Sequence, residues 1–341
     1  MPFEERARWS AEKQKAYDLA RLRHHSNLPV LPTSDTGRIV GQVLLQLEAN
    51  LHAQGTLCGG IITGPATYGK TTLLADIGRR YEHQFRHSYP PENPADAARI
   101  IPVVMVGLAP EATAKKLNIS IAEFYGAALR RRETTRDEYK RVIRERVYLH
   151  HTQLIMIDDI HYLRRPETQR QRDQMASLNN HVKNLADELG VTFLFAGINV
   201  DGTGLFDEGS STTDTVFSQV GGRMARYELR GFPHGSDEWK KLLNAFETEL
   251  VLEDHEPKSL RKLADYLHHR TNGSIGSLTN LLKQAALLAV AWKQAEPKKG
   301  EDRKPERIDH SVLQKVKSDR NAEANFQRHG SLYVPASKAK A

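Results

Sequence analysis

The feature that most constrains this 341-residue chain is the run Gly64-Pro65-Ala66-Thr67-Tyr68-Gly69-Lys70-Thr71, which satisfies GxxxxGK[ST] in full. It stands between a short apolar run, CGGIIT, and a segment of helical patterning that begins TTLLADIGRRY. A strand that stops, a glycine-bracketed turn and a helix that starts converge backbone N–H groups and a helix N-terminus on one point, which makes an anion cradle. Lys70 would pair with the β and γ phosphates of a nucleoside triphosphate. The Thr71 hydroxyl would join the shell of a Mg²⁺ ion bridging those phosphates, and Thr72 would pack the helix or add a phosphate contact. A chance glycine-rich turn accounts poorly for the strand and helix on either side.

Around this loop the chain alternates apolar runs with helical stretches. CGGIIT ends near Thr63, IIPVVMVGL near Leu108, LIMI near Ile157 and VTFLFAGI near Ile198, and YELRGF over 227–232 offers a fifth strand. Continuous apolar runs are how strands buried on both faces read, so the pattern predicts an α/β fold, a parallel sheet sandwiched by helices, with ligands at the carboxyl ends of the strands. After Pro233 the pattern is helical only, which suits a small lid domain. The expected organisation is a helical attachment over 1–55, in which Ile39, Val43, Leu44, Leu47 and Leu51 form one apolar face. A nucleotide-binding α/β domain over 56–232, a helical lid over 233–295 and a charged, partly disordered tail over 296–341, with one short helix beginning after Asp309, follow.

The run LIMI leads straight into Asp158-Asp159, two carboxylates at the end of a buried strand. Charge there is costly unless a cation or hydrogen-bond donors compensate it, and Mg²⁺ from the phosphate loop is the natural compensator. Asp158 is therefore assigned to the metal's water shell and Asp159 to polarising the attacking water. Helix N-caps before IHYLRR explain either residue singly but not the pair. Asn199 follows the strand VTFLFAGI, where an amide could bond the γ-phosphate or the lytic water; the alternative is a turn residue opening NVDGTG.

Composition narrows the setting. With 39% apolar residues the chain can bury one sizeable core and a smaller second one. The single cysteine, Cys58, excludes an intramolecular disulfide framework. The N-terminus lacks the apolar core of a signal peptide, and no stretch reads as membrane-spanning, so the expectation is a cytoplasmic protein with no membrane partner. A net charge of +7 and a pI near 9.3 favour polyanionic partners, nucleic acid above all, although a basic surface that binds nothing carries the same charge.

Taken together, GPATYGKTT, LIMIDDIHYL, VTFLFAGIN, SQVGGRM and the lid segment TNGSIGSLTNLLKQAALLA resemble the TniB/TnsC group of AAA+ transposition ATPases over roughly residues 30–290. The resemblance implies an AAA+ P-loop NTPase that binds ATP, forms a ring or helical filament of its own copies on double-stranded DNA, and recruits a transposase or other recombination protein. It also implies that Arg223 reaches the γ-phosphate of a neighbouring subunit, with surface salt-bridging as the plainer role. Two departures stand out. The group usually carries Glu where this chain has Asp159, which points to slow hydrolysis serving as a switch, and the lid helix that often bears a second sensor arginine has none, Arg270 lying just before it. DNA contacts in such assemblies fall after the second strand, where this chain has Lys115 and Lys116, then Arg130, Arg131 and Arg132; a solvated helix face is the alternative for each. Competing functions are a replication initiator or helicase loader of related architecture, and a signalling NTPase of phage defence.

Overall fold

The computed structural model describes residues 6, 8–53, 57, 59–108, 113–127, 135–160, 181–182, 184–198, 224–294, 305–319, 322–324 and 326. They fall into two compact units, residues 35–230 and residues 1–34 together with 231–341.

The first unit is built on five strands, β1 (Gly59–Thr63), β2 (Val103–Gly107), β3 (Leu154–Asp158), β4 (Thr192–Gly197) and β5 (Met224–Glu228). All pair in parallel, in the order β2-β3-β4-β1-β5. Successive residues of each central strand serve opposite faces of the sheet. Ile61, Ile155, Ile157, Phe193 and Phe195 join one core, and Ile62, Leu154, Met156, Leu194 and Ala196 the other. Helices cover both faces, so the strands read as unbroken apolar runs. On the second face lie α2 (Ser34–Leu51) and α3 (Lys70–Ser88), α2 contributing Ile39, Val40, Val43 and Leu47 at helical spacing. On the first lie α4 (Ala114–Phe124), α5 (Arg136–Leu149) and residues 184–189. A capping box starts α5: Thr135 Oγ1 accepts the Glu138 N–H at 3.2 Å while Glu138 accepts the Thr135 N–H at 2.6 Å.

The second unit is helical. It contains α1 (Ala11–Ser26), α6 (Asp237–Glu249), α7 (Ser259–Lys262), α8 (Ala264–Thr271), α9 (Ile275–Gln294) and α10 (His310–Lys315). Trp239, Leu243, Phe246, Leu267, Leu278, Leu281 and Leu282 are its centre. Among the described residues, no helix is long and apolar enough to cross a membrane.

Three boundaries differ from the sequence expectation. Residues 1–55 are not one attachment: α2 belongs with the sheet because of its apolar stripe, whereas α1 belongs with the helical unit because its inward face carries Arg21 and His25, both buried. The short helix expected after Asp309 is α10, but it does not stand apart from the lid, since Ile308, Val312, Leu313 and Val316 are all at most 5% exposed in the helical core. The fifth strand lies three residues earlier than YELRGF, because its register is fixed by pairing of Gly59 with Met224 through Thr63 with Glu228. As an edge strand with Arg226 and Glu228 exposed, it carries no apolar run to announce itself.

Candidate nucleotide-binding site

The strand order sets the site. β4 lies between β1 and β3, so the end of β1 and the end of β3 are two strand spacings apart, roughly 10 Å. The Gly64–Thr71 loop leaves the first and Asp158 closes the second, which puts both at the carboxyl edge of the sheet.

The loop's backbone is unusual where it must turn. Gly64 has φ +148°, and a Cβ there would stand 2.5 Å from the Leu229 carbonyl oxygen, so only glycine fits beside β5's end. Thr67 is left-handed at φ +66° and Gly69, at φ +87°, is the N-cap from which α3 starts. A non-glycine residue held left-handed costs about 1–2 kcal/mol, and the fold bears that cost in the turn of this loop. Pro65 is exposed, Ala66, Thr67 and Tyr68 are half-buried, and Tyr68 also packs against the α2/α3 core; burial raises its phenol pKa.

Lys70 is 8% exposed, and its ammonium donates to the carbonyls of Gly64 at 2.9 Å and Pro65 at 2.6 Å. Burial pulls its pKa down, partly opposed by the carboxylates of Asp158 and Asp159. A cation held by loop carbonyls rather than a fixed carboxylate can turn to a phosphate without breaking an ion pair. Thr71 and Thr72 are exposed on the first turn of α3.

Asp158 is 6% exposed and accepts the Asp159 N–H at 2.8 Å. Asp159 is half-buried and left-handed at φ +59°, a conformation that Asp tolerates better than most residues. One buried carboxylate and one exposed hydroxyl across the strand ends are hard oxygen ligands, which suits a Mg²⁺ ion that takes few protein ligands and completes its shell with phosphates and water.

The other sequence-derived candidates divide. Asn199, Arg223 and Arg130, Arg131 and Arg132 lie outside the described residues. Lys115 is half-buried and Lys116 exposed, both in the first turn of α4. Arg226, in β5, is exposed. Arg270 is 4% exposed and committed to the helical unit, donating to Tyr266 Oη at 2.9 Å, Leu313 O at 3.0 Å, Val316 O at 2.8 Å and Glu323 at 2.5 Å. What sequence reasoning missed is Leu229, whose carbonyl enforces Gly64 and whose N–H bonds Thr63 O at 2.8 Å; a backbone contact of this kind leaves no trace in side-chain pattern.

Among solved structures the chain is similar to the ORC2 protein of Aeropyrum pernix in its ADPNP–ADP complexes, at 14% identity and TM-score 0.61, over 86% of this chain and 70% of that one. It is also similar to the ORC1 protein of the same organism in complex with DNA, at 16% identity and TM-score 0.55, over 88% and 67% of the two chains. At these identities the likeness shows the fold, an α/β AAA+ P-loop ATPase fold. No curated protein matches the chain. The family model for the bacterial TniB protein matches residues 32–202, which takes in the phosphate loop, the Asp158-Asp159 pair and the strands between which they lie, and the chain belongs to the TniB family.

Proposed function

We propose that this protein is an ATP-driven regulator of DNA transposition, assembling on double-stranded DNA as a ring or filament in its ATP-bound state and recruiting or activating a transposase. The observation that carries the reading is the pairing, in a TniB-family chain, of the Gly64–Thr71 loop at the end of β1 with a buried aspartate at the end of β3, across the intervening β4. The loop amides and Lys70 hold the triphosphate. Thr71 and Asp158 would hold Mg²⁺, which would supply positive charge against the charge developing on the transferred phosphoryl group. Asp159 positions and deprotonates the attacking water. Asn199 senses the γ-phosphate, and Arg223 completes the site of the adjacent subunit, so hydrolysis depends on assembly. Asp159 is one methylene shorter than the glutamate usual in such sites, so turnover is slow and the ATP state persists.

Binding to DNA is supported by charge and placement. Lys115 and Lys116 sit in the first turn of α4, which holds no acidic residue, against the positive end of the helix dipole. Lysines so placed forgo roughly 0.3–1 kcal/mol each, which an anionic partner such as a phosphate backbone returns. Arg130, Arg131 and Arg132 extend the same basic region in sequence.

Electron microscopy with a non-hydrolysable ATP analogue and duplex DNA tests the proposal. Ordered rings or filaments that need both are expected; a monomer indifferent to DNA would overturn it. The likeness to origin-recognition proteins favours a second reading as a replication initiator or helicase loader, which predicts that the DNA-bound assembly retains a replicative helicase and not a transposase.

A further inference from the structure

Helices α4 and α5 end together at the amino edge of the sheet, where α5 runs through residues 150–153 into the start of β3. Tyr125 Oη donates to Thr152 Oγ1 at 2.7 Å, and Thr152 Oγ1 donates to the Ile101 carbonyl at 2.7 Å, which pins the end of α4 to the residues that lead into β2 and β3. His150 Nδ1 bonds the Arg99 carbonyl at 2.6 Å, and its ring stacks on Tyr125 with 5.3 Å between centroids.

Both helices stop in the same way. After α4 the N–H of Ala127 bonds Ala122 O and that of Gly126 bonds Glu123 O; after α5 the N–H of Thr152 bonds Val147 O and that of His151 bonds Tyr148 O. Each turn needs one left-handed residue, Gly126 at φ +69° and His151 at φ +54°. Glycine is the ordinary choice at this place, and non-glycine residues held left-handed concentrate at functional sites. His151 is exposed.

What this braced knuckle presents to solvent is apolar. Tyr148 is 86% exposed, Leu149 53% and Phe124 43%, the Phe124 ring meeting Tyr125 edge-on at 5.7 Å. Exposed hydrophobics scattered singly are ordinary, but these three sit at the ends of two joined helices and form a patch. Beside them lies positive charge. Arg141, Arg144 and Tyr148 follow one another at helical spacing along one exposed side of α5. From Lys140 to Leu149 the helix carries four cations against Glu145 alone, and the ion pair described there uses Lys140, with Glu188.

We propose that this knuckle is a docking surface for an acidic segment of another protein, one that carries an aromatic or aliphatic anchor. The partner's carboxylates face Arg141 and Arg144, and its anchor covers Tyr148 and Leu149. Tyrosine and arginine are enriched at the centres of protein interfaces, and the rigid backing behind them here lowers the ordering cost of association. A duplex backbone would satisfy the arginines and leave Leu149 uncovered. The length of β3, roughly 13 Å, separates the patch from Asp158, so this surface is distinct from the phosphate loop.

The test is fluorescence anisotropy on the full chain without nucleotide, at physiological ionic strength, with two labelled probes: a random copolymer of glutamate and tyrosine, and polyglutamate of the same length. The copolymer is expected to bind at least ~10-fold tighter. Tyr148→Ala should weaken the copolymer about tenfold and polyglutamate less than about twofold, whereas Arg144→Glu should weaken both about tenfold. Leu45→Ala, at a leucine 74% exposed on α2, is expected to change neither. Tyr148 is so open to solvent that its removal should leave the unfolding temperature unchanged. Copolymer affinity unmoved by Tyr148→Ala, or no tighter than that of polyglutamate, would overturn the proposal. So would labelled oligothymidylate that binds with the same dependence on Tyr148, which would assign the patch to single-stranded nucleic acid. Because no nucleotide is present, none of these results bears on the ATP reading.

Discussion

Both units bury charge, and they treat it in opposite ways. In the helical unit each buried cation is tied to a side-chain carboxylate: Arg21 to Asp18 and Glu306, Arg270 to Glu323 with two carbonyls and a phenol besides. In the sheet unit the buried cation Lys70 rests on two loop carbonyls, and the buried anion Asp158 on a backbone N–H. Charge tied off by fixed partners holds the fold. Among the described residues, the hydrogen bonds of Lys70 and Asp158 go to backbone groups, beside left-handed Thr67 and Asp159, so a ligand could take them over without breaking a close ion pair. Arg270 and Lys70 are both buried basic residues, one in the helical unit and one in the loop, and their partners tell them apart.

The contrast breaks first where the ties are cut. Arg270→Ala leaves two carbonyls without their donor and Glu323 without its cation, and is expected to cost the helical unit about 3–5 kcal/mol, read as a lower first transition in calorimetric unfolding. Next is acid. Burial, aided by the positive charges of His24 and Arg21, pushes His25 down to about 4 from its ordinary 6.5, and burial also lowers His255 and His268. A base with a depressed folded pKa takes up its proton more readily when unfolded, so its contribution is complete above pH 6.5 and lost as pH falls toward 4. Glu306, raised by burial, works in the opposite sense near the acid end. The helical unit should therefore lose about 3 kcal/mol between pH 6.5 and 4, and His25→Gln should flatten that slope in urea titrations at a series of pH values. Smaller still is Gly273→Ala. Gly273 is at φ +65° and an added Cβ would overlap the Phe232 carbonyl, so a loss of about 1–3 kcal/mol is expected by thermal melting. Smallest is Asp159→Glu, which restores the longer base and should raise steady-state phosphate release about tenfold, or ~1.4 kcal/mol of barrier, with no change in nucleotide affinity. Turnover that falls instead would show that the left-handed backbone at position 159 suits only the shorter acid.

Much of the sheet unit was legible because its residues answer to local rules. Four apolar runs end within one residue of β1, β2, β3 and β4, and the phosphate loop is a contiguous motif. β5 was shifted, since an edge strand half open to solvent has no continuous run to read. The helical unit was legible only in its middle. The attachment of α1 rests on ion pairs such as Arg21 with Glu306, 285 residues apart, and no local pattern joins two charges across that distance. The same holds for Arg270: in sequence it stands where a nucleotide-sensing arginine could, and only its bonds to Leu313, Val316 and Glu323 show it committed elsewhere.

The most direct measurement sets Lys70→Ala beside Arg270→Ala, each followed by calorimetric titration with an ATP analogue and by thermal unfolding. Removing Lys70 should weaken nucleotide binding at least ~100-fold, about 3 kcal/mol, while the unfolding temperature stays within ~2 °C. Removing Arg270 should destabilise the helical unit and leave affinity within about threefold at a temperature where it is still folded. A Lys70→Ala protein that binds the analogue as tightly as the parent would contradict the account.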